Sequence, residues 1–263
     1  NNFKIGRVSF DGNKVVLIAE AGVNHNGSLK MAEKLIREAK NSGADIIKFQ
    51  TYKASKLVVR NSKRFWSWDG EQKKNGTQFD SYSKLDSFNF NEYLKLKKLC
   101  EKYNIEFLST PFDEESVMML KEIGIKGFKV ASCDINNYVL LNAIAKTKLP
   151  VLISTGASNI EEIKSAVKVI KKYHKKIGIM HCTLCYPTEP KDSNLSAIFD
   201  LKKNFNEFHI GLSDHTLGFE IGSGSVLLGS TFIEKHFTYN KKLKKSADHW
   251  LSINHLELKK MRK

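Results

Sequence analysis

The sequence lacks the features of secreted and membrane proteins. Its four cysteines in 263 residues are too few and too widely spaced for a disulfide framework, which favours a reducing compartment. No apolar run reaches the roughly 20 residues that a membrane-spanning helix needs, and no signal segment precedes the first predicted strand. We therefore expect a cytoplasmic protein without a membrane partner.

Negative charge is also in short supply. There are 28 acidic residues against 43 lysines and arginines, a formal charge of +15, and the lysines are scattered through the predicted helices. That scatter is typical of solvated helix faces. Because zinc-finger spacing, a recognition helix and aromatic-rich RNA motifs are all missing, nucleic acid is not an expected partner. A small anionic substrate is compatible with the charge.

Eight short apolar runs alternate with amphipathic stretches along the chain. The runs predict strands at 15–20, 45–51, 105–110, 127–132, 151–155, 177–182, 208–213 and 231–236. The stretches predict helices at 28–41, 91–103, 114–123, 138–146, 160–174, 194–204, 219–228 and from about 254. This alternation indicates a parallel sheet, and eight units indicate an α/β fold, a (β/α)8 TIM barrel forming one domain over residues 1–263. An open doubly wound sheet is disfavoured because the turn at 19–27 lacks G-x-G-x-x-G.

Local signals support several of these boundaries. Ser28 and Asn91 are predicted helix N-caps, and Gly43 and Gly124 are predicted helix-ending glycines.

One connection, 52–89, is much longer than the usual strand-to-helix loop. It carries the aromatic run at 65–68, with Arg60 and Arg64 nearby. The loop is therefore a candidate lid over an anionic or sugar-like ligand. Packing of the aromatic run against the barrel rim is an equally good interpretation.

Polar side chains end nearly every predicted strand. Because a barrel gathers these ends on one face, they would converge on one pocket. The set comprises Glu20, Lys48, Gln50, Ser109, Thr110, Lys129, Ser132, Ser154, Thr155, Ser213, His215, Glu234 and His236.

Two kinds of chemistry are represented in this set. Lys48 and Lys129 among hydroxyl groups would suit a phosphate or carboxylate, although each could also be a surface or ion-pair lysine. His215 and His236, with acidic neighbours, would suit a divalent metal such as manganese, zinc or iron. The alternative for each histidine is a hydrogen-bonded core residue.

Cys182 and Cys185 form a C-x-x-C sequence. No second pair accompanies it and no helix start follows it, so packing or chance is favoured over a zinc or redox site.

Motifs at the strand ends resemble the sialic acid synthase family, which includes N-acetylneuraminate, legionaminate and pseudaminate synthases. They are 18–27 (IAEAGVNHNG), 48–51 (KFQT), 109–112 (STPF), 129–132 (KVAS), 154–156 (STG), 181–183 (HCT), 186–187 (YP), 212–216 (LSDHT) and 234–236 (EKH). They occur in order over almost the whole chain, which makes the resemblance specific.

The resemblance implies condensation of phosphoenolpyruvate with the open-chain aldehyde of an N-acetylated amino sugar. The products would be phosphate and a nine-carbon 2-keto acid. The implied roles are phosphoenolpyruvate binding by Lys48, Thr110, Lys129, Ser132, Ser154 and Ser213; divalent metal binding, typically manganese, by His215 and His236; catalysis by Glu20 and Glu234; and sugar contacts by Gln50, Tyr186 and Asp248.

Two departures from the family pattern are visible. Leu184 stands where the family usually has a polar residue near phosphoenolpyruvate. The family also usually continues into a C-terminal antifreeze-like domain, which supplies an arginine to the partner subunit's sugar site in a dimer. The sequence stops before this domain, so either it is a fragment or its sugar site is completed differently. Arg60 and Arg64 are candidates to replace that arginine, and a homodimer is suggested only by the resemblance.

Two other functions remain open from the sequence. A non-catalytic barrel could bind an anionic sugar, an interpretation favoured by Leu184 and the missing domain. An aldolase could instead use Lys48 or Lys129 as a Schiff-base nucleophile.

Overall fold

The computed structural model describes residues 1–64, 76–86, 88–244, 246 and 248–263. Its strands are β1 (Phe3–Ile5), β2 (Val8–Phe10), β3 (Val16–Gly22), β4 (Ile46–Thr51), β5 (Glu106–Pro111), β6 (Phe128–Val130), β7 (Val151–Ser154), β8 (Ile177–Cys182), β9 (His209–Asp214) and β10 (Phe232–His236). Its helices are α1 (Leu29–Asn41), α2 (Ala54–Leu57), α3 (Gln78–Ser83), α4 (Phe90–Lys102), α5 (Glu114–Ile123), α6 (Tyr138–Lys146), α7 (Ile160–Lys171), α8 (Ala197–Asn204), α9 (Glu220–Gly224) and α10 (His255–Arg262). None of these helices, within the described ranges, is long and apolar enough to cross a bilayer.

The strands β3 to β10 form a parallel sheet in the order β5-β4-β3-β10-β9-β8-β7-β6. The two end strands, β5 and β6, also lie side by side, so the sheet is nearly closed. The last strand pairs with the first, with Phe232 opposite Val16 and His236 opposite Glu20. The predicted β/α barrel is therefore confirmed.

The two faces of the sheet form two separate apolar clusters. The inward cluster contains Val16, Ile18, Ile46, Leu108, Leu152, Met180 and Phe232. Their sequence neighbours, such as Leu17 and Ile47, pack outward against the helices. Phe232 fills the barrel interior beside Gly211, where an added Cβ would lie 2.5 Å from the carbonyl oxygen of Phe232. Strand alternation thus sets which side chains point into the barrel.

A short antiparallel hairpin, β1 and β2, covers the N-terminal end of the barrel interior, and the sequence analysis missed it. Phe3 and Phe10 stack with ring centroids 4.7 Å apart, and Phe10 meets Phe232 edge-on at 5.4 Å. Gly6, at φ +53°, makes the tight turn. Apolar residues alternate around a glycine in this segment, but strands of three residues are too short to give a periodic signal in the sequence.

Most predicted helices are present with shifted ends. On α1 the buried residues Ala32, Leu35, Ile36 and Ala39 recur at helical spacing, and Ser28 caps the helix as predicted. Asn91 was the wrong cap for α4, because Asn89 occupies that position and accepts from two backbone N–H groups.

Other ends differ because turns replace helix. The predicted helix 219–228 divides into α9 and a 3-10 turn at Ser225–Leu228, and α7 ends at Lys171. The residues 194–196 precede α8, and β6 is only three residues long because a 3-10 turn starts at Ser132. Gly124 ends α5 in the left-handed conformation, and Gly43 follows the Ser42 cap of α1, as predicted.

Arg262, on the last helix, joins the eighth β/α unit to the first. Its guanidinium donates to the carbonyl oxygens of Gly43 at 2.8 Å and Val15 at 3.0 Å. It also pairs with Asp45, which accepts from the backbone N–H of Leu17 at 2.9 Å. An added Cβ on Gly43 would lie 2.9 Å from Arg262 Cγ, so glycine is needed for this approach.

We expect Arg262→Met to lower the free energy of unfolding by about 2 kcal/mol, because charged hydrogen bonds are each worth roughly 1.5–3 kcal/mol. Urea denaturation would measure it. Arg37→Met is the matched control, because Arg37 is half exposed and its ion pair with Glu38 is long, at 3.5 Å. An equal loss in both variants would contradict this role for Arg262.

Candidate active site

Along each barrel strand the inward positions change from apolar to polar toward the carboxyl end. On β10 the inward series is Phe232, Glu234 and His236, and on β3 Ile18 is followed by Glu20. The same change occurs from Ile46 to Lys48, Leu108 to Thr110 and Leu152 to Ser154. These polar side chains are all buried, although polar groups are costly to bury unless they are paired.

Two lysines and two glutamates form the centre of this layer. Lys48 pairs with Glu20, and its Nζ lies 3.7 Å from Glu234 Oε2. On the other side, Lys129 Nζ lies 3.2 Å from Glu234 Oε1. Each charge has a partner of opposite sign, so the cluster is balanced.

The two glutamates have pKa values shifted in opposite directions. Burial raises the pKa of Glu20 above its usual 4.5, and this effect outweighs the attraction of Lys48. Burial would also raise the pKa of Glu234, but Lys129 and Lys48 together outweigh it and lower that pKa. The arrangement therefore favours one carboxyl that can hold a proton beside one that stays ionised.

Hydroxyl groups surround the charged cluster. Lys48 donates to Thr110 Oγ1 at 3.1 Å, and Ser213 Oγ donates to Glu234 Oε1 at 3.0 Å. Ser132 Oγ accepts from the backbone N–H of Gly156 at 3.0 Å. Ser154 is buried on the inward face of β7. Thr110 thus contacts Lys48 directly, and Ser213 contacts the glutamate that lies between the two lysines.

His215 and His236 lie side by side, with ring centroids 5.5 Å apart. Burial lowers the pKa of His215 to about 4 and that of His236 well below 6.5, so both are neutral near pH 7. His215 Nδ1 lies 2.8 Å from the carbonyl oxygen of Thr183, which can only accept. Nδ1 therefore carries the proton, and Nε2 keeps a free lone pair.

These two histidines fit a divalent metal. Among the described residues, Nδ1 of His236 is a buried nitrogen without a hydrogen-bond partner, and neutral imidazoles are common ligands of first-row metals. Within the described ranges, no group of three His, Cys, Asp or Glu side chains is placed to hold a metal. A metal here would have two protein ligands and would need water or substrate for the rest.

The predicted sugar-contacting residues lie around the histidines. The ring of Tyr186 is 4.0 Å from that of His215, and Asp248 Oδ2 is 3.6 Å from His236 Nδ1. Burial raises the pKa of Asp248 to about 6. An added Cβ on Gly22, at φ +50°, would lie within 4 Å of side-chain atoms of Glu20, Gln50 and Asp248. The structure therefore brings all the predicted site residues to one end of the barrel.

A hydrogen-bond network that the sequence analysis missed supports the turn carrying Asp248. His249 bonds through its two ring nitrogens to Thr238 Oγ1 at 2.8 Å and Asn26 Oδ1 at 3.1 Å. Asn24 Nδ2 donates to Ser252 Oγ at 3.2 Å, and Ser252 Oγ donates to the carbonyl oxygen of Asp248 at 2.6 Å. Sequence spacing gives little signal for contacts between such distant segments.

Two residues of the predicted strand-end set serve other roles. Ser109 lies on the outward face of β5 and donates to the carbonyl oxygen of Phe49 at 3.0 Å. Thr155 donates to the carbonyl oxygen of Met180 at 3.0 Å. Both hold neighbouring strands together.

The four cysteines are free, and Cys182 is buried with its Sγ 3.9 Å from His215 Nδ1. Leu184 is partly exposed beside Ser132: a Cβ on Gly156 would lie 2.8 Å from Leu184 Cγ and 2.9 Å from Ser132 Oγ. Leu184 thus borders the predicted phosphoenolpyruvate pocket.

The long loop contains the short helices α2 and α3. Arg60 stacks on the ring of Phe79 at 4.7 Å, and Arg64 donates to Ser81 Oγ at 3.1 Å. These contacts are within the loop, so a role for either arginine at the sugar site stays a prediction. The aromatic run at 65–68 lies outside the described residues.

A large cavity of about 990 Å³ opens between α7 and α8. It touches the candidate site through Thr155, Cys182 and Leu184. The charged cluster is closed by its own ion pairs and lies beside this cavity, not within it.

Comparison with known proteins shows the family of this chain. The NeuB family matches residues 35–263. The chain belongs to the NeuB family. It is 37% identical to the N,N'-diacetyllegionaminic acid synthase of Legionella pneumophila, over 99% of this chain and 74% of that protein. It is 41% identical to the Campylobacter jejuni enzyme of the same name, over 94% of this chain and 74% of that protein.

The fold of this NeuB-family chain is also similar to that of a solved sialic acid synthetase. The N-acetylneuraminic acid (sialic acid) synthetase of Leptospira borgpetersenii, in complex with citrate, superposes with a TM-score of 0.90 at 38% identity. The match covers 100% of this chain and 86% of that one. The resemblance to sialic acid synthases and the prediction of an enzyme of this class are confirmed. A 3-deoxy-D-arabino-heptulosonate 7-phosphate synthase of Thermotoga maritima, 14% identical with a TM-score of 0.73, shares the fold.

We expect His249 to make the free energy of unfolding depend on pH in the acidic range. Burial lowers its pKa from 6.5 to about 4, so the unfolded chain takes up this proton first as the pH falls. The contribution of neutral His249 to folding stability is therefore lost as the pH falls from 6.5 to 4. Urea unfolding across this range should give a shallower pH dependence for His249→Gln than for the wild type. Parallel curves would show that His249 titrates alike in the folded and unfolded chains.

Proposed function

We propose that this NeuB-family protein condenses phosphoenolpyruvate with an N-acetylated amino sugar to give a nine-carbon, sialic-acid-type 2-keto acid and phosphate. One observation carries the proposal. Two lysines, the hydroxyl groups of Thr110 and Ser213, two glutamates with opposed pKa shifts and two neutral histidines meet at one end of the barrel.

Phosphoenolpyruvate fits the lysine side of the site. Its phosphate and carboxylate groups would form ion pairs with Lys48 and Lys129. Hydroxyl groups would donate further hydrogen bonds, from Ser132, Ser154, Ser213 and Thr110. If a substrate anion replaced Glu20 beside Lys48, the lysine would stay paired, and Glu20, whose pKa is raised by burial, could take up a proton and avoid remaining as an unpaired charge.

The sugar would lie on the histidine side, against Gln50, Tyr186 and Asp248. The Tyr93 hydroxyl donates to the Gln50 carbonyl oxygen at 2.7 Å and fixes that backbone. The legionaminic acid synthases among the relatives point to a di-N-acetylated deoxy sugar, and N-acetylmannosamine is the other candidate.

The reaction would proceed by attack of C3 of phosphoenolpyruvate on the sugar aldehyde carbon. A carbon–carbon bond forms, the aldehyde oxygen takes up a proton, and C2 acquires oxocarbenium character. Glu20, with its raised pKa, would deliver that proton. Water then adds to C2, oriented by ionised Glu234, which also stabilises the positive charge. The added water loses one proton to Glu234. The bond from C2 to the phosphate oxygen then breaks as the C2 hydroxyl becomes the ketone, and the hydroxyl proton leaves with the phosphate.

A divalent metal, typically manganese, held by His215 and His236 would polarise the aldehyde when bound. The protein's part is to present two neutral imidazoles. The hydrogen bond from His215 to Thr183 fixes one ring so that Nε2 faces away from the backbone.

A Schiff-base aldolase that uses Lys48 as its nucleophile fits the site less well. Burial would lower the pKa of Lys48, but Glu20 and Glu234 outweigh burial and raise it above 10.5. Lys48 is therefore a poor nucleophile, because an amine must lose its proton to attack a carbonyl. A homodimer and a cytoplasmic location stay predictions.

The direct test is phosphate release from phosphoenolpyruvate with manganese and each candidate amino sugar, with mass spectrometry of the product. We expect stoichiometric phosphate and 2-keto acid with one of them. Calorimetry with phosphoenolpyruvate alone, beside Lys48→Ala and His215→Ala, separates binding from turnover. Absence of binding by a folded wild-type chain would contradict the proposal, and borohydride trapping of a substrate adduct would favour the aldolase.

Lys129→Met should lower kcat/KM for phosphoenolpyruvate by roughly 100-fold, because truncation of one buried charged partner typically costs several kcal/mol. Lys126→Met is the matched control, since Lys126 is exposed three residues earlier. Steady-state kinetics of the two variants measure the difference. Equal kcat/KM values for the two variants would show that Lys129 does not bind the substrate.

A further inference from the structure

Directly behind the two histidines, on the outward face of the barrel, lies a buried ion pair. Asp214 and Lys235 are the outward-facing neighbours of His215 and His236, and they are only 3% and 2% exposed. Outward positions of barrel strands normally carry apolar residues that pack against helices, as Ile210 and Ile233 do here. Charges at such positions need complete pairing to be tolerated.

The pairing is complete and includes one further residue, Thr216. Lys235 Nζ donates to Asp214 Oδ2 at 2.7 Å, to the Thr216 carbonyl oxygen at 2.5 Å and to Thr216 Oγ1 at 3.3 Å. Asp214 Oδ1 accepts from the backbone N–H of Thr216 at 2.9 Å and from its hydroxyl at 2.8 Å. The three ammonium protons and both carboxylate oxygens all have partners.

These contacts begin where the backbone ladder between β9 and β10 ends. The last paired residues are Asp214 and Lys235, so His215 lies one residue beyond the ladder. Asp214 and Thr216 flank His215, and Lys235 sits between Glu234 and His236. The side-chain network therefore continues the connection between the strands past the last ladder hydrogen bonds.

The helix α9 covers this network. An added Cβ on Gly222 would lie 3.1 Å from Asp214 Oδ2 and 2.6 Å from Met261 Cε. The α9 backbone thus packs directly on the carboxylate, which excludes water and strengthens the ion pair.

We propose that Asp214, Thr216 and Lys235 are positioning residues that hold His215 against His236 and Glu234. The inference rests on the proposed function for its catalytic consequence, but the geometry it predicts can be measured without substrate. Loss of the network would let β9 and β10 separate at the histidines while the apolar barrel remains folded.

The test compares Lys235→Met, Thr216→Val and Thr216→Ser with Arg262→Met. Arg262→Met also breaks a partly buried ion pair, but that pair lies on the last helix and the first β/α unit, away from the site. Thr216→Ser keeps the hydroxyl that Thr216→Val removes. The comparison of Thr216→Val with Thr216→Ser therefore tests the proposal even if Lys235→Met does not fold.

Three readouts separate positioning from general stability. Thermal unfolding reports stability, nitrogen-15 imidazole NMR reports the His215 Nδ1–H that donates to Thr183, and electron paramagnetic resonance reports manganese affinity. We expect Lys235→Met and Thr216→Val to broaden or shift the imidazole signal and to weaken manganese binding about 10- to 100-fold, as loss of ligand-supporting groups does. Thr216→Ser and Arg262→Met should leave both unchanged.

The proposal is overturned if Lys235→Met and Thr216→Val lower the unfolding temperature but keep the wild-type imidazole signal and manganese affinity. If the wild type binds no manganese, the imidazole signal alone decides. If the wild type releases no phosphate but the signal changes as expected, the proposed function fails and the positioning role stands.

Discussion

The buried pairing of Lys48 and Lys129 with Glu20 and Glu234 is the interaction on which the site depends. Any one of these charges alone would be costly in the barrel interior, but together they are balanced. The balance also sets the chemistry. Because Glu234 contacts both ammonium groups it stays ionised, whereas burial dominates at Glu20 and favours its protonated form. One cluster thus supplies an acid, an anion and two sites for substrate anions.

The same strands carry two functions on opposite faces. Inward residues at the carboxyl ends meet the substrates, and the outward pair of Asp214 and Lys235 ties β9 to β10 directly behind the histidines. Below this layer, Phe232 and the N-terminal hairpin fill the barrel interior with apolar side chains. The polar layer therefore rests on a packed base, which limits the freedom of its lysines and glutamates.

Much of this could be predicted from sequence, since two periodic signals repeat eight times along the chain. Alternation of strand and helix indicated the barrel, and polar residues at strand ends located Lys48, Glu234 and both histidines. The signal fails where pairing is set by distant segments. Asp248 was predicted only from the family resemblance, and the support of its turn by His249 was missed. Strand alternation put Lys235 on the outward face but did not indicate that Asp214 is its partner. The hairpin was missed because its strands are too short for a periodic pattern.

The pairing of β10 with β3 also means that the barrel cannot close during protein synthesis until β10 has been made. The strand that carries Glu20 leaves the ribosome early, and the strand that carries Glu234 and His236 leaves after seven other barrel strands. Until then β3 has no β10 to pair with, and Lys48 has only one of its two carboxylate partners. A nascent chain halted before β10 would thus expose an unpaired strand edge, a surface that chaperones and proteases recognise. Incomplete chains would be removed before they could sequester substrate.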